Sequence, residues 1–148
     1  MGKTASDFFT LQQKEAIKKA VQDAELETSG EIRVHIENKC DGDVLDRAAT
    51  VFDKLGMINT ELRNGVLFYL AVKSQKFAIL GDLGINAKVP QGFWESTKNL
   101  MLEHFKKGAF TEGLVEGITL AGKELKAWFP YQTDDVNELP DDISFGKD

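Results

Sequence analysis

The chain has 148 residues, 42% hydrophobic and 28% charged, with a formal net charge of -6 and one cysteine. That length and balance fit one globular domain with a real core. They exclude a basic nucleic-acid footprint, an intramolecular disulfide and a multi-cysteine zinc site.

The start, Met1-Gly2-Lys3-Thr4-Ala5-Ser6, lacks the apolar stretch of a secretory signal, and its match to the short myristoylation pattern is read as chance. Leu11 to Glu27 reads as a first helix, with Thr10 and Gln13 as a capping box and Ile17, Ala20, Val21 and Ala24 as its apolar stripe. Ser29-Gly30 ends it. Glu31 to Glu37 alternates Ile32, Val34 and Ile36 with Arg33, His35 and Glu37, a strand with one polar face. A second helix runs from Val44 to Leu55, with Asp43 as N-cap and Gly56 just past its end. Val66 to Val72 is apolar on both faces, hence a central strand, and is too short to span a bilayer. After the polar turn Lys73-Ser74-Gln75-Lys76, the strand Phe77 to Leu80 pairs antiparallel with it.

A third helix is predicted from Pro90 to Lys107, with Phe93, Trp94, Thr97, Leu100, Met101, His104 and Phe105 at helical spacing. Thr111 caps a fourth, on which Leu114, Ile118, Ala121, Leu125 and Trp128 face one way. Gly113 and Gly117 within it predict close approach to another backbone, and Pro130 ends it. Residues 131–148 form an acidic tail, six carboxylates against Lys147, in which Leu139, Pro140, Ile143 and Phe145 predict partial docking. The domain body is therefore 1–130. The lone Cys40 suits a reduced, cytoplasmic setting.

A strand–helix–strand crossover makes the first two strands parallel. Their starts then share one sheet edge with the end of the third strand. That edge gathers Ser29, Gly30, Glu31, Arg63, Asn64 and Asp82, and the tail carboxylates Asp134 and Asp135 begin within reach of it. Carboxylates and an amide suit a hard divalent cation, while Arg63 and the backbone N–H groups of Ser29 and Gly30 suit a phosphate. Asp82, in Gly81-Asp82-Leu83-Gly84, serves equally as a cap for its own turn. One rule points elsewhere: open parallel sheets bind ligands at the carboxyl ends of their strands.

Cys40-Asp41-Gly42-Asp43-Val44-Leu45 faintly resembles the nucleophile loop of haloacid-dehalogenase phosphatases, but Asp43 as helix cap explains it better. Its Asp-rich tip can take a cation weakly, on the opposite edge. His104 reads as a packed histidine and His35 as a sheet-face residue, and no Ser, His and Asp set shows triad-like context.

Thr28-Ser29-Gly30-Glu31-Ile32-Arg33-Val34, Arg63-Asn64-Gly65-Val66-Leu67, Ile79-Leu80-Gly81-Asp82-Leu83-Gly84-Ile85, Phe93-Trp94 and Phe110-Thr111-Glu112-Gly113-Leu114 resemble the TPM domain family. That family includes a plant thylakoid-lumen acid phosphatase, a photosystem II repair protein and a nematode modulator of acetylcholine receptors. Phe129-Pro130-Tyr131 and the segment from Asp135 to Asp141 resemble a bacterial single-domain subgroup. The resemblance implies a three-layer α/β/α sandwich with a small mixed, Rossmann-like sheet. It also implies a divalent-cation site, Ca²⁺ first and Mg²⁺ second, and for some members acid phosphatase activity.

The family's acidic site carries over to Asp82, beside the Arg63-Asn64 and Ser29-Gly30-Glu31 turns. The expected metal ligands are thus Asp82, Glu31, Asn64, Asp134 and Asp135, and the expected phosphate contacts Ser29, Gly30, Arg63 and Asn64. The expected function is cation binding, with phosphomonoester hydrolysis or a non-catalytic role binding a protein partner as its two forms.

Overall fold

This computed structural model describes residues 4–132 and 138–146. A single 3-10 turn, Ser6–Phe8, precedes helix α1, Leu11–Glu25. The capping box is present: the Thr10 hydroxyl accepts from the Gln13 N–H, and the Gln13 side chain accepts from the Thr10 N–H. Strand β1 spans Glu31–Glu37 and helix α2 Val44–Lys54, whose start is capped by the Asp43 carboxylate on the Leu45 and Asp46 N–H groups. Strands β2, Gly65–Ala71, and β3, Lys76–Gly81, follow.

The predicted third helix is two helices, α3 at Leu83–Lys88 and α4 at Glu95–Lys106. Asp82 starts the first by accepting the Leu83 N–H. Pro90 disfavours helical geometry at the residue before it, and Val89 is extended at φ -81 and ψ 150. Gly92, at φ 79, turns the chain before α4 restarts it. The stripe that suggested one helix therefore joins a turn, with Phe93 and Trp94, to a helix. Helix α5, Phe110–Leu125, begins after Ala109, so Thr111 lies in its first turn and is not its cap. The tail adds a short strand, β4, Ser144–Phe145, which the sequence did not reveal.

The sheet runs β3-β2-β1-β4. β1 is parallel to β2, with Glu31 opposite Gly65, and parallel to β4 through His35 and Ile36; β3 is antiparallel to β2. One face, with Ile32, Val34, Val66 and Phe68, packs under α1, α4 and α5. The other, with Leu67, Tyr69 and Ala78, packs under α2 together with Cys40, Met57 and Leu139 of the tail. This is the three-layer α/β/α sandwich. A side chain at Gly113 would come within 2.4 Å of the Phe105 ring, and one at Gly117 within 2.5 Å of Met101, so these glycines admit α4 side chains rather than backbone. Among the described residues, no helix is long and apolar enough to cross a membrane.

Candidate functional site

The amino ends of β1 and β2 and the carboxyl end of β3 meet at one edge, as the crossover argument requires. The Asp82 side chain, 5% exposed, accepts two bonds from Arg63, Nε to Oδ2 and Nη2 to Oδ1, both at 2.8 Å. Its Oδ1 also accepts the Leu83 N–H at 2.8 Å, so Asp82 is at once counter-ion and helix cap. Arg63 sits at φ 50, an unusual conformation for a residue with a side chain, and its carbonyl accepts the Gly84 N–H at 2.8 Å.

The predicted phosphate donors are already engaged. The Ser29 N–H donates to the Phe129 carbonyl at 2.9 Å and the Gly30 N–H to Thr28 Oγ1 at 3.1 Å. Thr28 in turn donates its hydroxyl to the Phe129 carbonyl and bridges Pro130. Asn64 donates its amide to the Ser29 carbonyl at 2.7 Å, which leaves its buried Oδ1 without a donor.

Glu31 holds the tail. Its Oε1 accepts the N–H groups of Glu138 at 2.9 Å and Leu139 at 3.0 Å. Burial pushes its pKa up to about 7 against the opposing pull of those two bonds. Glu25 accepts the Ile32 N–H at 3.1 Å; burial, then its bond to Asp141, push its pKa up to about 10. Lys18 adds an ion pair to Asp142 at 2.8 Å. Asp134 and Asp135 lie outside the described residues.

The opposite edge carries a network that sequence reasoning missed. Glu37, 5% exposed, receives Arg47 through Nε at 2.8 Å and Nη2 at 2.9 Å, and also the Tyr69 hydroxyl. His35 lies with Nε2 3.1 Å from Glu37 and Nδ1 3.0 Å from Ser144 Oγ, tying β4 to β1. Burial alone would raise Glu37, but the bonds from Arg47, Tyr69 and His35 hold it at about 2. Burial lowers His35. The alternation of β1 does place His35 and Glu37 on one face. Their partners, 10, 32 and 109 residues away, carry no local signal.

Beside this network lies an open depression of about 540 Å³, at the carboxyl end of β1 and the start of α2. Asp41, Asp43, Asp46 and Glu37 supply carboxylates to it, with Lys39 and Arg47 also lining it. The loop carbonyls already hold a cation: Lys76 Nζ donates to Cys40 O at 3.0 Å and to Gly42 O at 2.9 Å. His104, predicted as a packed residue, is partly exposed and lies 2.7 Å from Glu116 of α5.

Residues 3–124 match the TPM domain. The chain belongs to the TPM domain family. Its fold is similar to the NMR structure of the BA42 protein from the psychrophilic bacterium Bizionia argentinensis, at 50% identity and a TM-score of 0.89, over 94% of this chain and 96% of that one. It is also similar to the N-terminal domain of a P. gingivalis protein, at 20% identity and a TM-score of 0.68, over 82% and 78%. A third likeness is the N-terminal domain of the cg2496 protein from Corynebacterium glutamicum, at 11% identity and a TM-score of 0.64, over 97% and 84%. The last two show the fold alone. The curated proteins include no match.

The TPM family implies a divalent cation, which needs several oxygens converging without a competing positive charge. The Asp82 edge does not fit that need as placed. Both Asp82 oxygens face the Arg63 guanidinium, and Glu31 Oε1 points at backbone N–H groups. Among the described residues, no group of three or more His, Cys, Asp or Glu side chains is placed to hold a metal. The β1–α2 loop fits better in donor chemistry: its Asp41 and Asp46 carboxylates are exposed and, among the described residues, paired with no cation, whereas its Cys40 and Gly42 carbonyls are taken by Lys76.

Proposed function

We propose that this TPM domain is a divalent-cation-binding module that takes Ca²⁺ or Mg²⁺ on the acidic β1–α2 loop. Asp41 and Asp46 would supply carboxylate oxygens, with water completing the shell. The observation that supports this reading is the pair of exposed carboxylates, Asp41 and Asp46, which have no ion-pair partner among the described residues and line the depression. Its position at the carboxyl end of β1 is where open α/β sheets take ligands. An exposed loop of this kind corresponds to weak binding, on the order of 10⁻⁴–10⁻³ M.

Phosphomonoester hydrolysis draws no support from the Asp82 edge. Arg63 is committed to Asp82, and the Ser29 and Gly30 N–H groups are committed to Phe129 and Thr28.

The test is a Ca²⁺ titration followed by amide NMR on labelled protein. Saturable shifts confined to Cys40 through Asp46, weakened in Asp41→Asn and Asp46→Asn and unchanged in Asp82→Ala, support the proposal. Shifts centred on Glu31, Asn64 and Asp82, or no saturable shift at millimolar Ca²⁺, overturn it.

A further inference from the structure

A second cavity, of about 330 Å³, lies between the β2–β3 turn and the α4–α5 corner, away from the acidic loop's carboxylates. Its apolar wall is Leu70, Phe77, Leu102, Phe105 and Phe110. Phe105 is the hinge of that wall: its ring meets Phe77 edge-on at 5.0 Å and Phe110 at 5.4 Å. The ring keeps this place because residue 113 is a glycine. Leu102 stands at the mouth, 41% exposed.

Two polar heads border this wall. Gln75 lines the cavity from the last position of the β2–β3 turn, at φ 55, the left-handed conformation that closes short hairpin loops. Lys106 lines it from α4, and among the described residues its ammonium has no hydrogen-bond or ion-pair partner. Lys76 contributes its stem, its ammonium being held by the Cys40 and Gly42 carbonyls. An apolar wall with one amide and one unpaired ammonium is complementary to a molecule with an apolar body and one anionic head. The volume falls at the small end of the range for small-molecule sites, roughly 300–1,000 Å³, which favours a small ligand over a folded peptide.

We propose that this cavity binds an amphipathic carboxylate of the medium-chain fatty-acid class. The acyl chain lies along the phenylalanine wall, and the carboxylate accepts from Lys106 Nζ and the Gln75 amide. The two regions share the Lys76 side chain, but the groups that would hold the carboxylate, Lys106 and Gln75, lie outside the cation loop, so a failed Ca²⁺ titration does not touch this proposal.

The test is an amide NMR titration of labelled protein with sodium decanoate below its micelle concentration, with decanol as the uncharged control. Binding gives saturable shifts at Gln75, Leu102, Phe105 and Lys106, with decanoate tighter than decanol. Lys106→Glu weakens decanoate about tenfold or more, the scale of a lost charge-assisted bond turned repulsive, and leaves decanol unchanged. Leu102→Asp weakens both ligands. Leu102 and Lys106 are exposed on α4, so both variants keep the fold, which the amide spectrum of each reports directly. Three results overturn the proposal. They are shifts spread over Leu11, Leu26 and Leu62, decanoate binding indifferent to Lys106→Glu, and shifts at these amides with an acidic apolar peptide but with neither decanoate nor decanol.

Discussion

Replacing Asp82 by alanine separates a structural carboxylate from a metal ligand. The side chain is 5% exposed, receives both Arg63 bonds at 2.8 Å and caps the Leu83 N–H. Losing an N-cap oxygen costs about 1 kcal/mol. Arg63 is 40% exposed and turns to water once released, so its pairing is worth only about 1 kcal/mol, well below a fully buried pair. The sum, about 2 kcal/mol, lowers the thermal midpoint by roughly 4–8 °C in a domain of this size. Asp82→Asn keeps a cap oxygen and loses about half as much. Urea unfolding followed by circular dichroism reads the stability, and a parallel Ca²⁺ titration reads the affinity. An alanine variant within about 0.5 kcal/mol of the parent refutes the structural assignment, because that is the range of inert surface changes. A tenfold loss of Ca²⁺ affinity would show that Asp82 is a ligand after all.

Glu25 and Glu31, raised to about 10 and about 7, favour the fold when protonated. Their contribution is full below the ordinary 4.5 and is lost as pH rises through about 7 for Glu31 and about 10 for Glu25. Glu25→Gln keeps an acceptor for the Ile32 N–H and removes the ionisation, so its gain in urea midpoint over the parent is larger at pH 8 than at pH 5. Glu37, held at about 2, behaves oppositely: its contribution is present above 4.5 and lost as pH falls through about 2. Glu37→Gln thus costs roughly 3 kcal/mol at neutral pH and progressively less in urea melts taken toward about pH 2. Gly84→Ala puts a Cβ 2.1 Å from the Leu62 carbonyl oxygen and 2.6 Å from that of Arg63, backbone atoms that cannot yield. It costs about 3 kcal/mol in thermal unfolding, whereas Gly117→Ala, whose nearest contacts are atoms of the flexible Met101 side chain, costs about 1 kcal/mol.

Local rules carried the sequence reading wherever the determining partner was near in the chain. The alternation of Ile32, Val34 and Ile36 bounded β1, Thr10 and Gln13 started α1, and Asp43 started α2. Crossover handedness and hairpin length gave the parallel and antiparallel pairings, and so brought Glu31, Arg63, Asn64 and Asp82 to one edge. What stayed hidden was the partner of each polar group. Nothing local shows that Arg63 turns inward from a left-handed backbone to Asp82, 19 positions away. Nothing local shows that Glu31 meets the N–H groups of residues 107 and 108 positions further on. The helix over Pro90 to Lys107 misread a real stripe, because apolar spacing continues through a turn that Pro90 and Gly92 impose on the backbone.

Why the carboxylate-rich edge became structural follows from its backbone donors. β4 reaches only His35 and Ile36 of β1, which leaves the Ile32 N–H uncovered on the outer side of the strand, and Glu25 accepts it. The tail turns past the start of β1 with two N–H groups outside any ladder, and Glu31 accepts both. α3 begins beside the end of β3, and Asp82 accepts its first N–H. A buried donor left without an acceptor costs about 1–3 kcal/mol, so each of these side chains supports the fold as an acceptor, Glu25 and Glu31 most in their protonated form. At the far edge the donors of α2 need only Asp43, which leaves Asp41 and Asp46 exposed toward the depression. Two acidic clusters of similar composition thus differ in how far backbone N–H groups have claimed their carboxylates: Asp82 and Glu31 are engaged at the first edge, whereas Asp41 and Asp46 stand exposed at the second.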